Sequence, residues 1–292
     1  MLTDYHVHLR PDGADSTAAE YFTQANVERY REAASERGIV ELGVSEHVYR
    51  FTQVLDVWDH PFWRANARDD IDEYCGFVRE QTDLRLGIEA DFVPGGEDRM
   101  ANLLQARDFD YVIGSVHFLR DGAVDMDDYS VWESGRSVED VWRRYFETIG
   151  EAARSGLFDI LAHPDLVKYW SPSRMDRHER RPEGDLRRYY EPAIEGIAES
   201  GIAVELSTAG LRKHVGEMYP APAFLEMALE AGAPIALSSD AHRPEDLGAG
   251  YEHALELLDQ LGIHELAVFD RRARSLAPLG AGAGDRREAG TS

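Results

Sequence analysis

The sequence has few of the features that are typical of secreted or membrane proteins, namely cysteines and long apolar segments. Cys75 is the single cysteine among 292 residues, so no intramolecular disulfide can form, and a reducing cytoplasm is the expected compartment. No window approaches the roughly 18 consecutive apolar residues of a membrane span. Basic residues are outnumbered by acidic ones, and the formal net charge of −24 disfavours long nucleic acids as partners, because an acidic surface repels phosphate backbones.

Seven short apolar runs are each followed by histidines or carboxylates. Runs of this length between glycine and proline are typical of buried parallel strands. In a closed barrel, residues at the C-terminal ends of such strands converge on one face, where active sites form. The runs are Leu2–Tyr5 before His6 and His8, Ile39–Val44 before Glu46 and His47, Leu84–Ile88 before Glu89, Tyr111–Val116 before His117, Phe158–Leu161 before His163, Ile202–Val204 before Glu205, and Pro234–Leu237 before Asp240 and His242.

Helical patterns, with apolar spacings of three and four, fill the gaps between these runs. The segments are Thr17–Arg37, Ala65–Gln81, Gly95–Arg107, Val138–Ser155, Asp185–Ser200, Pro222–Ala231 and Pro244–Leu261. Alternating strands and helices predict parallel βαβ units, and seven units favour an α/β barrel over a small doubly wound sheet. We expect one barrel domain over residues 1–276 and a disordered tail over residues 277–292.

The placement of histidine is the strongest chemical signal in the chain. Six of the 11 histidines directly follow predicted strands. A lone histidine at a strand end is more often a structural or exposed residue, but random placement would scatter the set. Imidazoles and carboxylates without thiolates suit Zn²⁺, Mn²⁺ or iron. Six imidazoles and two carboxylates exceed the needs of one tetrahedral ion, so two or three divalent ions are predicted.

Six short motifs occur in a fixed order between residues 4 and 243. They are Asp4-Tyr5-His6-Val7-His8, Ser45-Glu46-His47, Gly87-Ile88-Glu89-Ala90-Asp91, Gly114-Ser115-Val116-His117-Phe118, His163-Pro164-Asp165-Leu166-Val167-Lys168 and Ser239-Asp240-Ala241-His242. This ordered series resembles the PHP (polymerase and histidinol phosphatase) superfamily. The segment Ser207–Lys213, followed by Tyr219-Pro220, resembles its histidinol-phosphate phosphatase branch. The resemblance implies a distorted (β/α)7 TIM-like barrel with a metal site at the C-terminal ends of its strands.

The resemblance also implies which side chains hold the metals. The expected groups are His6, His8, Glu89 and Asp240 for the first ion, Glu89, His117 and His163 for the second, and Asp12, His47 and His242 for the third. Glu89 would bridge the first two ions. The superfamily usually has a histidine where this chain has Asp12, within Pro11-Asp12-Gly13. An oxygen ligand would therefore replace a nitrogen ligand at the third ion.

The same resemblance implies hydrolysis of a phosphomonoester, with L-histidinol phosphate as the substrate and histidine biosynthesis as the setting. Ions about 3.5–4 Å apart can hold a bridging hydroxide as the nucleophile. Glu89, Asp240 and Arg212 are the expected catalytic residues, with Asp240 or a metal-bound water as the general acid. Side chains at the same face are expected to bind the substrate, namely Arg50, Lys168, Arg212, Lys213, Arg243 and Glu205.

Three other functions fit parts of this pattern. A PHP enzyme could act on another small phosphoester, such as a nucleotide or a sugar phosphate. A non-catalytic metal-binding module would need only some of the ligands, whereas this chain keeps nearly all of them. A metal-dependent amidohydrolase also uses His-x-His, but the ordered series here fits phosphoester chemistry better. The sequence does not distinguish between oligomeric states.

Overall fold

Strands and helices alternate along the chain, as the apolar pattern predicts. A computed structural model of the protein describes residues 1–13, 16–170 and 180–280. Its strands are β1 (Thr3–Asp4), β2 (Glu41–Val44), β3 (Arg85–Asp91), β4 (Tyr111–Ser115), β5 (Phe118–Leu119), β6 (Gly122–Ala123), β7 (Ile160–Leu161), β8 (Ala203–Ser207), β9 (Ile235–Ser238), β10 (Glu265–Asp270) and β11 (Ala273–Pro278). Its α-helices are α1 (Ala18–Tyr21), α2 (Gln24–Glu36), α3 (Pro61–Asn66), α4 (Ile71–Gln81), α5 (Glu97–Gln105), α6 (Val138–Arg154), α7 (Arg187–Ser200), α8 (Pro222–Glu230) and α9 (Tyr251–Gln260).

Seven of these strands form one parallel sheet whose two edges meet. They pair in the order β1-β2-β3-β4-β7-β8-β9, and the register places Thr3 of β1 beside Glu41 of β2. A parallel bridge between Val7 and Ala241 joins the first and last strands just beyond their C-terminal ends. The sheet is therefore a nearly closed α/β barrel, and the predicted fold class is confirmed.

Aromatic side chains pack closely in the barrel interior. The ring centroids of Tyr5 and Tyr111 lie 5.0 Å apart, and that of Phe269 lies 5.8 Å from Tyr5. A Cβ atom built at Gly43 or Gly87 would lie 2.3–2.4 Å from an atom of Tyr111. These two strand positions are therefore restricted to glycine, because the Tyr111 ring occupies the space that a side chain would need.

A C-terminal antiparallel hairpin, which the sequence pattern does not predict, completes this interior. Strands β10 and β11 form it, and Phe269 of β10 is buried. The two turn residues, Arg271 and Arg272, both have positive φ angles (49° and 66°). Two-residue hairpin turns usually place glycine, asparagine or aspartate at such positions, so this turn has no recognisable sequence signal.

Two of the predicted helices differ from the observed ones, and in each case a capping side chain marks where the observed helix begins. The predicted helix Thr17–Arg37 divides into α1 and α2, and the Thr23 hydroxyl accepts a hydrogen bond from the backbone amide of Asn26 at 3.2 Å. The predicted helix Ala65–Gln81 begins only at α4, where the Asp70 carboxylate accepts from the first two helical amides that follow Ile71. Both are N-caps, which satisfy amides that have no partner inside the helix.

The predicted boundary at residue 276 falls inside a strand. Ala277 and Pro278 pair with Leu266 and Glu265, so the start of the predicted tail belongs to the hairpin. The part of that tail from residue 281 onward lies outside the described residues. Within the described ranges, no helix combines the length and the apolar character that crossing a membrane requires.

Truncation of Phe269 tests whether the hairpin belongs to the core. Phe269 is 2 % exposed, so F269A removes buried apolar surface and leaves a cavity. We expect the free energy of unfolding, measured in urea, to fall by about 3–5 kcal/mol. Leu276, on the other strand of the hairpin, is 52 % exposed, and L276A is expected to change it by about 0.5 kcal/mol or less. Equal stability of F269A and the unaltered protein would contradict this role.

Candidate metal centre

Barrel closure brings the predicted metal ligands together. The backbone amide of His8 donates to the carbonyl of Ala241 at 2.8 Å, and the amide of Ala241 donates to the carbonyl of His6 at 3.3 Å. Ligands near the two ends of the chain thereby become neighbours. A side-chain nitrogen or oxygen atom of each of the nine predicted ligands lies within 3.6 Å of such an atom in another predicted ligand. The nine residues are His6, His8, Asp12, His47, Glu89, His117, His163, Asp240 and His242.

The first predicted group surrounds a single point at the end of β1. Nε2 of His6 lies 3.3 Å from Oε2 of Glu89 and 3.6 Å from Oδ1 of Asp240. Nε2 of His8 lies 3.5 Å and 3.6 Å from the same two oxygens. Four potential ligand atoms from three strands or strand ends therefore face one another.

The second predicted group uses the other oxygen of Glu89. Oε1 of Glu89 lies 3.2 Å from Nε2 of His163 and 3.5 Å from Nε2 of His117. Oε2 faces His6 and His8 instead, and it also lies 2.5 Å from Nδ1 of His47. The two oxygens of one carboxylate are thus directed at two different sets of imidazoles, which is the arrangement that a bridging ligand requires.

The third predicted group is formed by Asp12, His47 and His242. The Nε2 atoms of His47 and His242 are 3.4 Å apart. Oδ1 of Asp12 lies 3.5 Å from Nε2 of His47, and Oδ2 lies 3.3 Å from Nε2 of His242. The Asp12 side chain is 63 % exposed, so this group lies at the solvent side of the cluster.

The chemistry of this cluster fits divalent ions. Ligand atoms bonded at about 2.0–2.2 Å to a tetrahedral zinc ion lie roughly 3.3–3.6 Å apart, and the contacts within the three groups run from 3.2 to 3.6 Å. Nε2 of His6 and both ring nitrogens of His8 are buried without a hydrogen-bond partner among the described residues. Buried polar atoms are rarely left unpaired, so a metal is the natural partner of these nitrogens.

The electrostatics keep Glu89 ionised. Its carboxylate is buried, which alone would raise its pKa, but the imidazoles of His47, His6 and His117 hold the pKa well below its usual range. Asp240 is similar: burial would raise its pKa, but Lys213 and His6 lower it well below the usual value. An ionised Asp240 favours a role as a metal ligand over the predicted role as general acid.

A buried carboxylate, Glu205, contacts two of the predicted ligands. Its Oε1 lies 2.7 Å from Nδ1 of His6 and accepts from the Ser238 hydroxyl at 2.6 Å. Its Oε2 accepts from the backbone amide of His163 at 2.5 Å. Strand β8 continues past Glu205 to Ser207, so this residue lies within the strand and behind the ligands. Its position favours orientation of the ligands over the predicted contact with substrate.

A second carboxylate, Asp91, orients His117. Its Oδ1 lies 2.8 Å from Nδ1 of His117, which leaves Nε2 facing Glu89. Burial alone would lower the pKa of His117, but Asp91 and Glu89 raise it to about 10. A carboxylate behind a ligating histidine fixes the ring and increases its basicity.

Two of the predicted ligands have unusual backbone conformations. His163 and Asp240 have positive φ angles of 25° and 49°, which residues other than glycine rarely adopt. The surrounding structure must enforce them, and the contact of Glu205 with the His163 amide is one such restraint. Strain of this kind is typical of functional sites, where it directs a side chain to a required position.

A cavity of about 280 Å³ opens onto the cluster. Six predicted ligands line it, together with Lys213, Tyr49, Met126 and Asp125. Nζ of Lys213 lies 3.3 Å from Oδ2 of Asp240. Burial would lower the pKa of Lys213, but Asp240, Asp12 and Asp125 raise it above its usual value, so the ammonium stays charged. Among the described residues around this cavity, Lys213 is therefore the predicted cation best placed for a phosphate.

The other predicted phosphate-binding cations are engaged elsewhere. Arg212 donates to the carbonyl oxygens of Ser239 (2.7 Å) and Asp240 (3.3 Å), so it supports the loop after β9. Lys168 is 2 % exposed and lies 2.9 Å from Asp165. Neither side chain lines the cavity.

Arg50 and Arg243 also lie outside the lining of this cavity. Arg50 contacts Glu46 at 3.1 Å and Asp12 at 2.9 Å, so its charge is used to hold the loop that carries Asp12. Arg243 directly follows His242, but its side chain is exposed. For Arg50, the outcome depends on tertiary contacts that no sequence motif reveals.

Asp125 is a cavity residue that the motifs do not indicate. It lies just after the short β5–β6 hairpin that follows His117, and it belongs to no recognisable motif. Burial raises the pKa of Asp125, and His117, Lys213 and His163 lower it only in part. The only signal in the sequence is that an acidic residue occurs shortly after a predicted ligand.

The comparison with protein families identifies the chain. The family model of the PHP domain matches residues 17–209, more than half of the sequence. The chain belongs to the PHP domain family. The PHP domain is a metal-dependent phosphoesterase, so the predicted family and the predicted class of metal-dependent phosphatase are confirmed.

Two curated relatives match this PHP chain over nearly their full lengths. A Deinococcus radiodurans protein named "Probable histidinol-phosphatase" is 32 % identical over 269 residues, which cover 89 % of this chain and 94 % of the relative. The Bacillus subtilis histidinol-phosphatase is 27 % identical over 278 residues, covering 87 % of this chain and 98 % of the relative.

A solved structure supports the fold. The histidinol phosphate phosphatase from Lactococcus lactis, in complex with zinc, L-histidinol and phosphate, superposes with a TM-score of 0.68. The match covers 94 % of this chain and 98 % of the other, at 17 % sequence identity. At this identity the likeness establishes a shared fold.

Replacement of Glu89 tests its place at the centre of the cluster. E89Q keeps the size of the side chain but removes the charge that faces both groups of imidazoles. We expect the metal content after dialysis to fall by at least one ion per chain and phosphatase activity to fall by 100-fold or more (about 3 kcal/mol). Glu97, in the first turn of α5, provides a matched control because it does not line the cavity. Unchanged metal content in E89Q would contradict the bridging geometry.

Proposed function

We propose that this PHP protein hydrolyses L-histidinol phosphate to L-histidinol and phosphate, a reaction of histidine biosynthesis, and that it uses two or three divalent ions. The observation that carries the proposal is the geometry of Glu89, whose two oxygens face separate groups of imidazoles. The single cysteine, Cys75, supports a cytoplasmic location, because proteins in reducing compartments rarely contain structural disulfides.

The ligand groups allow an assignment of each proposed ion. His6, His8 and Asp240 would hold the first ion, and His117 and His163 the second, with Glu89 bridging the two. A third ion would bind to Asp12, His47 and His242. Zn²⁺, Mn²⁺ and iron all accept this combination of imidazole and carboxylate. When bound, such ions supply an activated water and neutralise charge on the phosphoryl group.

Several side chains of this protein position the substrate and the metal ligands. Lys213, held 3.3 Å from Asp240 on the wall of the cavity, is suited to bind a phosphate oxygen. Arg212 holds the carbonyl of Asp240 from behind and so positions the ligand loop. Glu205 and Asp91 fix the rings of His6 and His117. Rigid placement of this kind contributes to catalysis because little reorganisation is needed during the reaction.

The choice of substrate rests on the relatives and on the size of the cavity. Relatives named histidinol-phosphatase match this chain over nearly their whole length. A cavity of about 280 Å³ suits a small monoester, since ligand pockets of drug-sized molecules run from about 300 to 1,000 Å³. Both observations favour a small amino-alcohol phosphate over an oligonucleotide end.

A panel of phosphomonoesters tests the substrate. We expect kcat/KM with Mn²⁺ or Zn²⁺ to be at least about 100-fold higher for L-histidinol phosphate than for a nucleoside monophosphate or a sugar phosphate. Removal of the metals with a chelator should abolish hydrolysis, and addition of divalent ions should restore it. A higher kcat/KM for another monoester would replace the proposed substrate, and hydrolysis by the metal-free protein would contradict the role of the ions.

A further inference from the structure

Three hydrogen bonds hold the backbone next to Asp125 in the cavity. The backbone amide of the preceding residue, Val124, donates to the carbonyl of His117 at 2.9 Å. The carbonyl of Val124 accepts from two indole groups, those of Trp132 and Trp170, each at 2.8 Å. These bonds at the amide and the carbonyl of Val124 restrain the chain that carries Asp125, close to the proposed metal ligand His117. Such preorganisation is what a binding residue requires.

The carboxylate of Asp125 has an unused oxygen. Oδ1 is buried and has no hydrogen-bond partner among the residues that the structure describes. The other carboxylates in the lining differ: Asp12 contacts His47 and His242, and Asp240 contacts Lys213. A buried charged oxygen without a donor is costly, so a donor supplied by a ligand is expected.

The charge of Asp125 restricts what that ligand can be. A carboxylate in a cavity that binds phosphate repels the phosphate, unless another part of the same ligand is positive. The nearby cation Lys213 lies against Asp240, at 3.3 Å, and the proposed function assigns its charge to the phosphate. A primary ammonium group on the ligand would pair with the Asp125 carboxylate, because it carries a full positive charge and three hydrogen-bond donors.

We propose that Asp125 is a specificity residue that binds the primary ammonium of the substrate and thereby selects aminated phosphomonoesters. The inference rests on the proposed function, in which L-histidinol phosphate carries an ammonium near the phosphate ester. The phosphate would lie over the metal ligands and Lys213, and the ammonium would lie against Asp125. Asp125 is a substrate-binding residue in this arrangement, and it takes no part in bond cleavage.

The test compares two substrates that differ only in the amino group. These are L-histidinol phosphate and its desamino analogue, 3-(imidazol-4-yl)propyl phosphate. We expect the unaltered enzyme to show a kcat/KM at least about 10-fold higher for the aminated substrate, since a hydrogen bond to a charged group commonly changes binding by about 10- to 100-fold. Equal kcat/KM values would overturn the proposal without any variant.

Variants locate the source of that preference. In D125N we expect the preference in kcat/KM for the aminated substrate to fall to about threefold or less, because KM for that substrate rises. The kcat/KM for the desamino analogue should stay within about threefold of that of the unaltered enzyme. D125E should retain part of the preference. D128N removes an exposed carboxylate from the same loop and should leave both substrates unaffected.

Two results would overturn the role of Asp125. One is a preference that survives in D125N. The other is an equal loss on both substrates in a D125N protein with normal metal content and thermal unfolding, which would indicate a general contribution to catalysis. If the unaltered enzyme hydrolyses neither substrate but cleaves another monoester, the proposed function fails instead.

Discussion

The structure depends on one buried carboxylate that has to satisfy several imidazoles at once. Glu89 is 1 % exposed, and five histidines lie within 3.5 Å of its oxygens. A charge in such a position is stable only when positive groups compensate it. Divalent ions between Glu89 and the imidazoles would provide that compensation. The nearly closed barrel keeps the predicted ligands together, so fold and metal binding would support each other.

The rest of the molecule can be understood as support for this cluster. Tyr5, Tyr111 and Phe269 fill the barrel interior. Glu205 and Asp91 connect that framework to the ligands, and each fixes a ring that faces Glu89. The cavity itself is small, so a substrate would contact both the metal ligands and the carboxylate of Asp125.

Sequence order predicts much of this arrangement, because a parallel barrel turns residues that follow successive strands into neighbours. Eight of the nine predicted ligands are of this kind, and Asp12 lies in the loop that follows His8. Roles that depend on tertiary partners cannot be predicted in the same way. The sequence suggests that Lys168 binds phosphate, whereas in the structure Lys168 pairs with Asp165. The role of Glu205 depends on where β8 ends. The C-terminal hairpin escapes prediction because its turn is Arg271-Arg272, without glycine.

The central claim is that Glu89 joins two metal ions, and anomalous X-ray diffraction from crystals of the zinc-loaded protein tests it most directly. The account predicts two anomalous peaks about 3.5–4 Å apart, each bonded to a different oxygen of Glu89. A third peak is expected between Asp12, His47 and His242. A single ion, or a pair of ions that Glu89 does not contact, would contradict the account.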